Sequence, residues 1–228
     1  KALLDHFASR RWFRGKGRVR KGATIADLMT LASGDRSWAL VLLTVEYEDG
    51  APETYFVPVG RAARDEAREL VTHHHDCVIA RLTVSGLEST LVEGALYDAL
   101  VHGEVPAALL QCIQGRRPIA GDAGTLSGVG LKTLKEIGDA GGLAPKPLSV
   151  EQSNTSIAFG DRLTMKLFRV LEDGPNCEYE IGRHLANNPE YKRSPRLAGA
   201  LEYRARGRDP GSSRRGGEIG LYSLRPGQ

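Results

Sequence analysis

The sequence predicts an α+β protein in which two antiparallel sheets follow one another along the chain. Three observations carry that prediction. Ser37 to Tyr47 (SWALVLLTVEY) is rich in β-branched and aromatic residues and ends in Glu48-Asp49-Gly50, a hairpin turn signal. Leu163 to Phe168 alternates strictly, with Leu163, Met165 and Leu167 on one side and Thr164, Lys166 and Phe168 on the other, just after the turn signal Gly160-Asp161. One main helix, Asn176 to Leu185, follows those strands.

Ala2 to Phe7 and the arginine-rich run to Lys21 form a short helix leading into a turn. Strands are expected at Thr24 to Leu31, Ser37 to Tyr47 and Thr54 to Val59. Ala62 to Val71 (AARDEARELV) is polar and helix-prone, and further strands are expected at Cys77 to Val84 and Ser89 to Val92. Together they make a half-buried sheet with a few helices over residues 1–95.

Leu96 to Val101 and Ala107 to Gln114 read as short helices, with Pro106 in the first turn of the second. Gly115 to Gly142 is rich in glycine and poor in large apolar residues, and reads as loops and irregular strands that link the two units. The linker helices and the second unit occupy residues 96–228. In that unit two strands flank Gly160-Asp161, and further strands are expected at Pro195 to Arg204 and Gly217 to Leu224. Between the last two, Gly207 to Gly217 (GRDPGSSRRGG) reads as a hairpin loop. Asn176 and Asp173 compete to cap the main helix, and Ile181 and Leu185, one turn apart, are expected to pack it on the sheet.

Bulk properties bound the function. The 228 residues leave room for one large domain or two small ones. The balance of 31 Lys and Arg against 28 Asp and Glu gives a net charge of only +3. The basic runs Arg10 to Lys21, whose two aromatics Trp12 and Phe13 read as anchors, and Arg204 to Arg215, which has no aromatic for base stacking, read as solvated surface, and no nucleic-acid partner is expected. Cys77, Cys112 and Cys177 show neither paired nor metal-like spacing, which predicts a reducing compartment. No apolar run approaches the ~20 residues that span a bilayer, so no membrane partner is expected and the cytoplasm is the expected location. A chain that begins at Lys1 is expected to be part of something longer.

The chemistry concentrates between Glu151 and Arg183. A polar turn of small residues, Ser153-Asn154-Thr155-Ser156, can bring backbone N–H groups and hydroxyls close to phosphate oxygens. Lys166 then projects from a rigid strand as a point charge suited to a triphosphate. A helical acid would fix its orientation. Glu180 is the expected partner and Glu178 the alternative, because residues two apart on a helix point about 200° apart and only one can face the lysine. Arg169 and the Glu172-Asp173 pair are left outside the site. Turn, lysine strand and acidic helix come in the order in which a protein-kinase-like N-lobe presents ATP to its lysine. His73-His74-His75-Asp76-Cys77 invites a metal reading, but adjacent histidines seldom converge on one ion, and the run reads as a surface loop. Trp12 and Phe13 read as anchors of the N-terminal helix on the first sheet.

Several of these runs carry a family resemblance. Gln152-Ser153-Asn154-Thr155-Ser156, Met165-Lys166-Leu167-Phe168-Arg169, and Asn176 with Glu178 and Glu180 resemble bacterial maltokinase. Arg11-Trp12-Phe13-Arg14-Gly15-Lys16 resembles the opening of that family's N-terminal cap domain. The resemblance implies an antiparallel-sheet cap domain followed by a protein-kinase-like N-lobe, a five-stranded antiparallel sheet with one main helix. It also implies transfer of the γ-phosphate of ATP to the anomeric hydroxyl of maltose, with Mg2+, giving maltose 1-phosphate. Trehalose synthase, to which some maltokinases are fused, is an implied partner.

A kinase-like fold also needs a base for the acceptor hydroxyl and carboxylates for magnesium. After Arg204 the only acids are Asp209 and Glu218, neither in such a context. The sequence therefore predicts a cap and N-lobe without the catalytic lobe, inactive alone and with its metal ligands elsewhere. A non-catalytic module that binds nucleotide or docks on trehalose synthase is the alternative, and a related sugar or aminosugar kinase the third reading.

Overall fold

The computed structural model describes residues 2–85, 91–138, 142–148, 154–172, 174, 176–188, 190, 194–206 and 215–223. Helix α1 (Ala2–Ala8) leads through a turn into β1 (Arg20–Ser33), β2 (Arg36–Tyr47) and β3 (Glu53–Ala63). Helix α2 (Arg64–His73) and a 3-10 turn (His75–Cys77) precede β4 (Val78–Ser85) and β5 (Leu91–Asp98). These strands form an antiparallel sheet in the order β1-β2-β3-β5-β4. Strand β2 is an unbroken apolar run because both of its faces are buried. Leu40 and Leu42 point to the main core, while Val41, Leu43 and Val45 point to a second core on the opposite face.

That second core is closed by the N-terminal segment. Phe7, Trp12 and Phe13 pack against Tyr47, Tyr55 and Val57, with Phe7 and Trp12 edge to face at 4.9 Å. Trp12 and Phe13 are thus anchors, as expected. Gly15 lies against Tyr47 so closely that an added Cβ would fall 2.1 Å from the hydroxyl, which explains the glycine.

The second unit begins with a 3-10 turn (Ala99–Val101) and α3 (Glu104–Gly115). It continues through β6 (Pro118–Ala120), β7 (Gly124–Gly130), α4 (Lys132–Ile137) and β8 (Pro145–Pro147) to β9 (Asn154–Phe159) and β10 (Leu163–Phe168). A two-residue strand β11 (Val170–Leu171), helix α5 (Cys177–Ala186), β12 (Leu197–Ala205) and β13 (Arg215–Ser223) complete it. The sheet order is β6-β7-β12-β13-β10-β9-β8. The α+β class and the two antiparallel sheets are as predicted, but among the described residues the second sheet has seven strands rather than five.

The extra strands come from the run read as a linker. Gly124 to Gly130 is an inner strand paired to both β6 and β12. Its glycines reflect crowding, because a Cβ at Gly128 would fall 2.1 Å from the carbonyl oxygen of Cys112 in α3. The segment Leu96 to Val101 is corrected as well: Leu96 and Tyr97 pair with β3 and β4, and only the last three residues turn helical. Helix α5 packs through Tyr179 and Ala186 onto Leu197 and Ala200. Ile181, expected on that face, is 60% exposed, because the N-cap at Asn176 phases Tyr179 inward instead. Residues 207–214, expected as a hairpin loop, and Asp173 lie outside the described residues.

One main core runs between the sheets, from Met29, Leu40 and Phe56 through Leu109 and Ile113 of α3 to Ile157, Met165 and Leu201. Strand β11 leaves the second unit altogether and pairs with β3 of the first sheet. No described helix is long and apolar enough to cross a membrane.

Candidate functional site

The site is built on β10 and α5. In β10 the side chains of Leu163, Met165 and Leu167 are fully buried, and Thr164, Lys166 and Phe168 take the half-buried face. Lys166 stands opposite Ser156 of β9 in the ladder, and Phe168 opposite Asn154. Cross-strand partners share a face, so Ser156, Asn154 and Lys166 lie on one surface. The Lys166 ammonium also sits 5.2 Å from the Phe168 ring centroid.

Helix α5 brings the acid. Asn176 accepts hydrogen bonds from the N–H groups of Glu178 and Tyr179, fixing the first turn. Lys166 Nζ then donates to Glu178 Oε2 across 2.5 Å. Glu178, not Glu180, is the partner: Glu180 lies exposed on another side of the helix. The side chains are 30% and 42% exposed, and a pair that open to water contributes no more than ~1 kcal/mol to stability.

Two further expectations are corrected. Asn154, Thr155 and Ser156 are the first residues of a strand rather than a turn, since their backbones pair with Phe168, Leu167 and Lys166. Strand alternation then turns Thr155 away from Lys166 and toward the first sheet, where its hydroxyl accepts from Arg169 Nε at 3.0 Å. Ser153 lies outside the described residues, as do Glu151 and Gln152.

Arg169, left out of the site on sequence grounds, is buried where the two sheets meet. It is 3% exposed, donates to Asp98 Oδ2 across 2.8 Å, and lies 5.0 Å from the Trp12 ring centroid. Asp98 also accepts from its own Leu100 N–H. A cleft of about 220 Å³ opens beside this pair between the sheets, lined by Trp12, Cys77, Asp98, Leu148, Thr155 and Arg169 among others; Lys166 and Glu178 do not line it. Burial pushes the Cys77 thiol up to about 11, assisted by the nearby Asp76 and Asp98 charges. His73 ends α2, and the His74 ring stands edge-on to that of His102. Among the described residues no three His, Cys, Asp or Glu side chains gather so as to hold a metal ion.

Comparison with known proteins agrees with the resemblance drawn from the sequence. Residues 7–101 match the family model of the maltokinase N-terminal cap domain. A solved structure of "Glucosamine kinase in complex with glucosamine, ADP and inorganic phosphate" superposes with a TM-score of 0.51 at 15% identity, over 98% of this chain and 41% of that one. "Glucosamine kinase (crystal form B)" gives a TM-score of 0.48 at 14% identity, over 96% of this chain and 39% of that one. The chain is maltokinase-like in its cap and kinase-like in fold, and it spans 41% of the length of the first of these kinases.

Proposed function

We propose that this chain is the cap and nucleotide-binding N-lobe of an ATP-dependent sugar kinase of the maltokinase type, with maltose as the acceptor. The observation that carries the reading is the Lys166–Glu178 pair at 2.5 Å, a strand lysine held by a helical acid with little stake in stability. Lys166 presents a fixed positive charge to phosphate oxygens, and Glu178 keeps the ammonium aimed along the sheet face. Ser156, opposite Lys166, supplies a hydroxyl on the same surface. In this reading the cation that accompanies ATP takes carboxylate ligands from a catalytic lobe, as in other kinase-like folds.

Maltose is preferred as acceptor because the cap matches the maltokinase family, whereas the likeness to glucosamine kinase supports the fold alone. The test is an acceptor assay on the whole protein with ATP and Mg2+. Maltose should be phosphorylated at the anomeric position, with glucosamine a poor substrate. Preferential phosphorylation of glucosamine would overturn the acceptor, and absence of phosphoryl transfer to any sugar would overturn the kinase reading.

A further inference from the structure

We infer that the cap sets the geometry of the Lys166–Glu178 pair, with Arg169 and Asp98 as its positioning residues. The inference rests on the nucleotide-site reading for its consequence but not for its geometry. The lysine strand does not run freely into the acidic helix. Arg169, three residues after Lys166, is locked into the cap by Asp98 Oδ2 at 2.8 Å and lies beside the Trp12 ring. Its carbonyl accepts from Phe56 N–H at 2.8 Å, and Val170 and Leu171 then add a short strand beside Tyr55 and Thr54 of β3. Glu172 next forms an ion pair with Arg14. Only a few residues later Asn176 caps the helix that carries Glu178.

The two members of the pair are thus joined by a connection whose first half is fixed on the cap by a buried ion pair, a strand pairing and an ion pair at the surface. One further donor, Arg169 Nη1, is buried and finds no hydrogen-bond partner among the described residues. Such a group is expected to be costly, and it is retained where the guanidinium must reach Asp98 and Thr155 together. Movement of the cap relative to the lobe would pull Arg169 and Glu172 and so change how Lys166 meets Glu178. A two-site coupling of this kind is reciprocal: a nucleotide that engages Lys166 must tighten the cap by the same factor.

The experiment measures the reactivity of the Lys166 ammonium toward acetic anhydride by mass spectrometry, with exposed Lys132 as internal reference, in the parent chain and in variants. Asp98→Asn should raise Lys166 labelling several-fold while Lys132 is unchanged. Because that variant leaves a buried arginine without its counter-charge and is expected to lose stability, the doubly neutral Asp98→Asn/Arg169→Met chain is measured beside it. Its melting should stay near that of the parent while Lys166 labelling still rises. Calorimetric titration with ATP–Mg should then show about tenfold weaker binding in the double variant. A folded double variant with parental Lys166 labelling overturns the inference. Raised labelling in a chain that binds no ATP, even as the parent, upholds the positioning and removes only the nucleotide reading.

Discussion

Tyr203 donates its hydroxyl to the buried carboxylate of Asp27 across 2.7 Å, joining the first sheet to the second over 176 positions of sequence. The same carboxylate accepts from the N–H of Ala123 and from that of Leu28, each at 2.8 Å. Burial alone would raise the Asp27 carboxyl, but these hydrogen bonds outweigh it and hold the group below its ordinary range. A carboxyl with a depressed folded value contributes stability that is present above the unfolded value near 3.9 and lost as pH falls through the folded one. Urea unfolding between about pH 2 and pH 5 should therefore show an acid-induced loss that Asp27→Asn flattens, and at pH 7 that variant should be less stable by ~1.5–3 kcal/mol.

Gly128 gives a second prediction. Its missing Cβ leaves room for the Cys112 carbonyl of α3, and backbone cannot rotate away as a side chain can. Gly128→Ala should cost at least ~2 kcal/mol by overpacking, measured as a fall in the denaturation midpoint. Gly22, with nothing near its Cβ position, should accept alanine with a change within ~0.5 kcal/mol.

The same two places show what the sequence could and could not reveal. The sheets, the lysine strand and the capped helix were legible because period-2 alternation and turn residues are local signals. The Gly124 to Gly130 strand was not, since its glycines answer to a helix that packs on it from elsewhere in the chain. Glu178 against Glu180 turned on two residues of helix phase, which the Asn176 cap decides. Asp27 and Arg169 did leave a trace. Asp27 shares its strand phase with the buried Met29 and Leu31, and Arg169 continues the phase of Leu163, Met165 and Leu167. A charged residue in register with core positions marks a buried ion or hydrogen-bond partner, though alternation alone does not say which.

Helix α5 offers a reversal of the pattern-based expectation. Tyr179 is 1% exposed and donates to Glu202 Oε1 at 2.7 Å, whereas Ile181 is 60% exposed. Tyr179→Ala should destabilise by ~3–5 kcal/mol, and Ile181→Ser should stay within ~0.5 kcal/mol. Equal losses for the two variants in thermal melts would place the packing face wrongly.

The three cysteines should separate by reactivity. Cys77 and Cys112 are buried, burial raises both thiols, and the Cys77 thiol, raised to about 11, donates to the His74 carbonyl. Cys177 is exposed at the start of α5. Titration of the native chain with a thiol reagent near pH 7.5 should show one fast group, abolished by Cys177→Ser, and the other two only on unfolding.

The proposed nucleotide site requires that Lys166, aimed by Glu178, face the phosphates of ATP. Isothermal calorimetry with ATP–Mg on the purified chain tests it most directly, with Glu180→Gln as the control on the same helix. Lys166→Ala should abolish measurable binding, Glu178→Gln should weaken it about tenfold, and Glu180→Gln should leave it unchanged. ATP–Mg binding that is the same in the parent and in Lys166→Ala would remove Lys166 from the site.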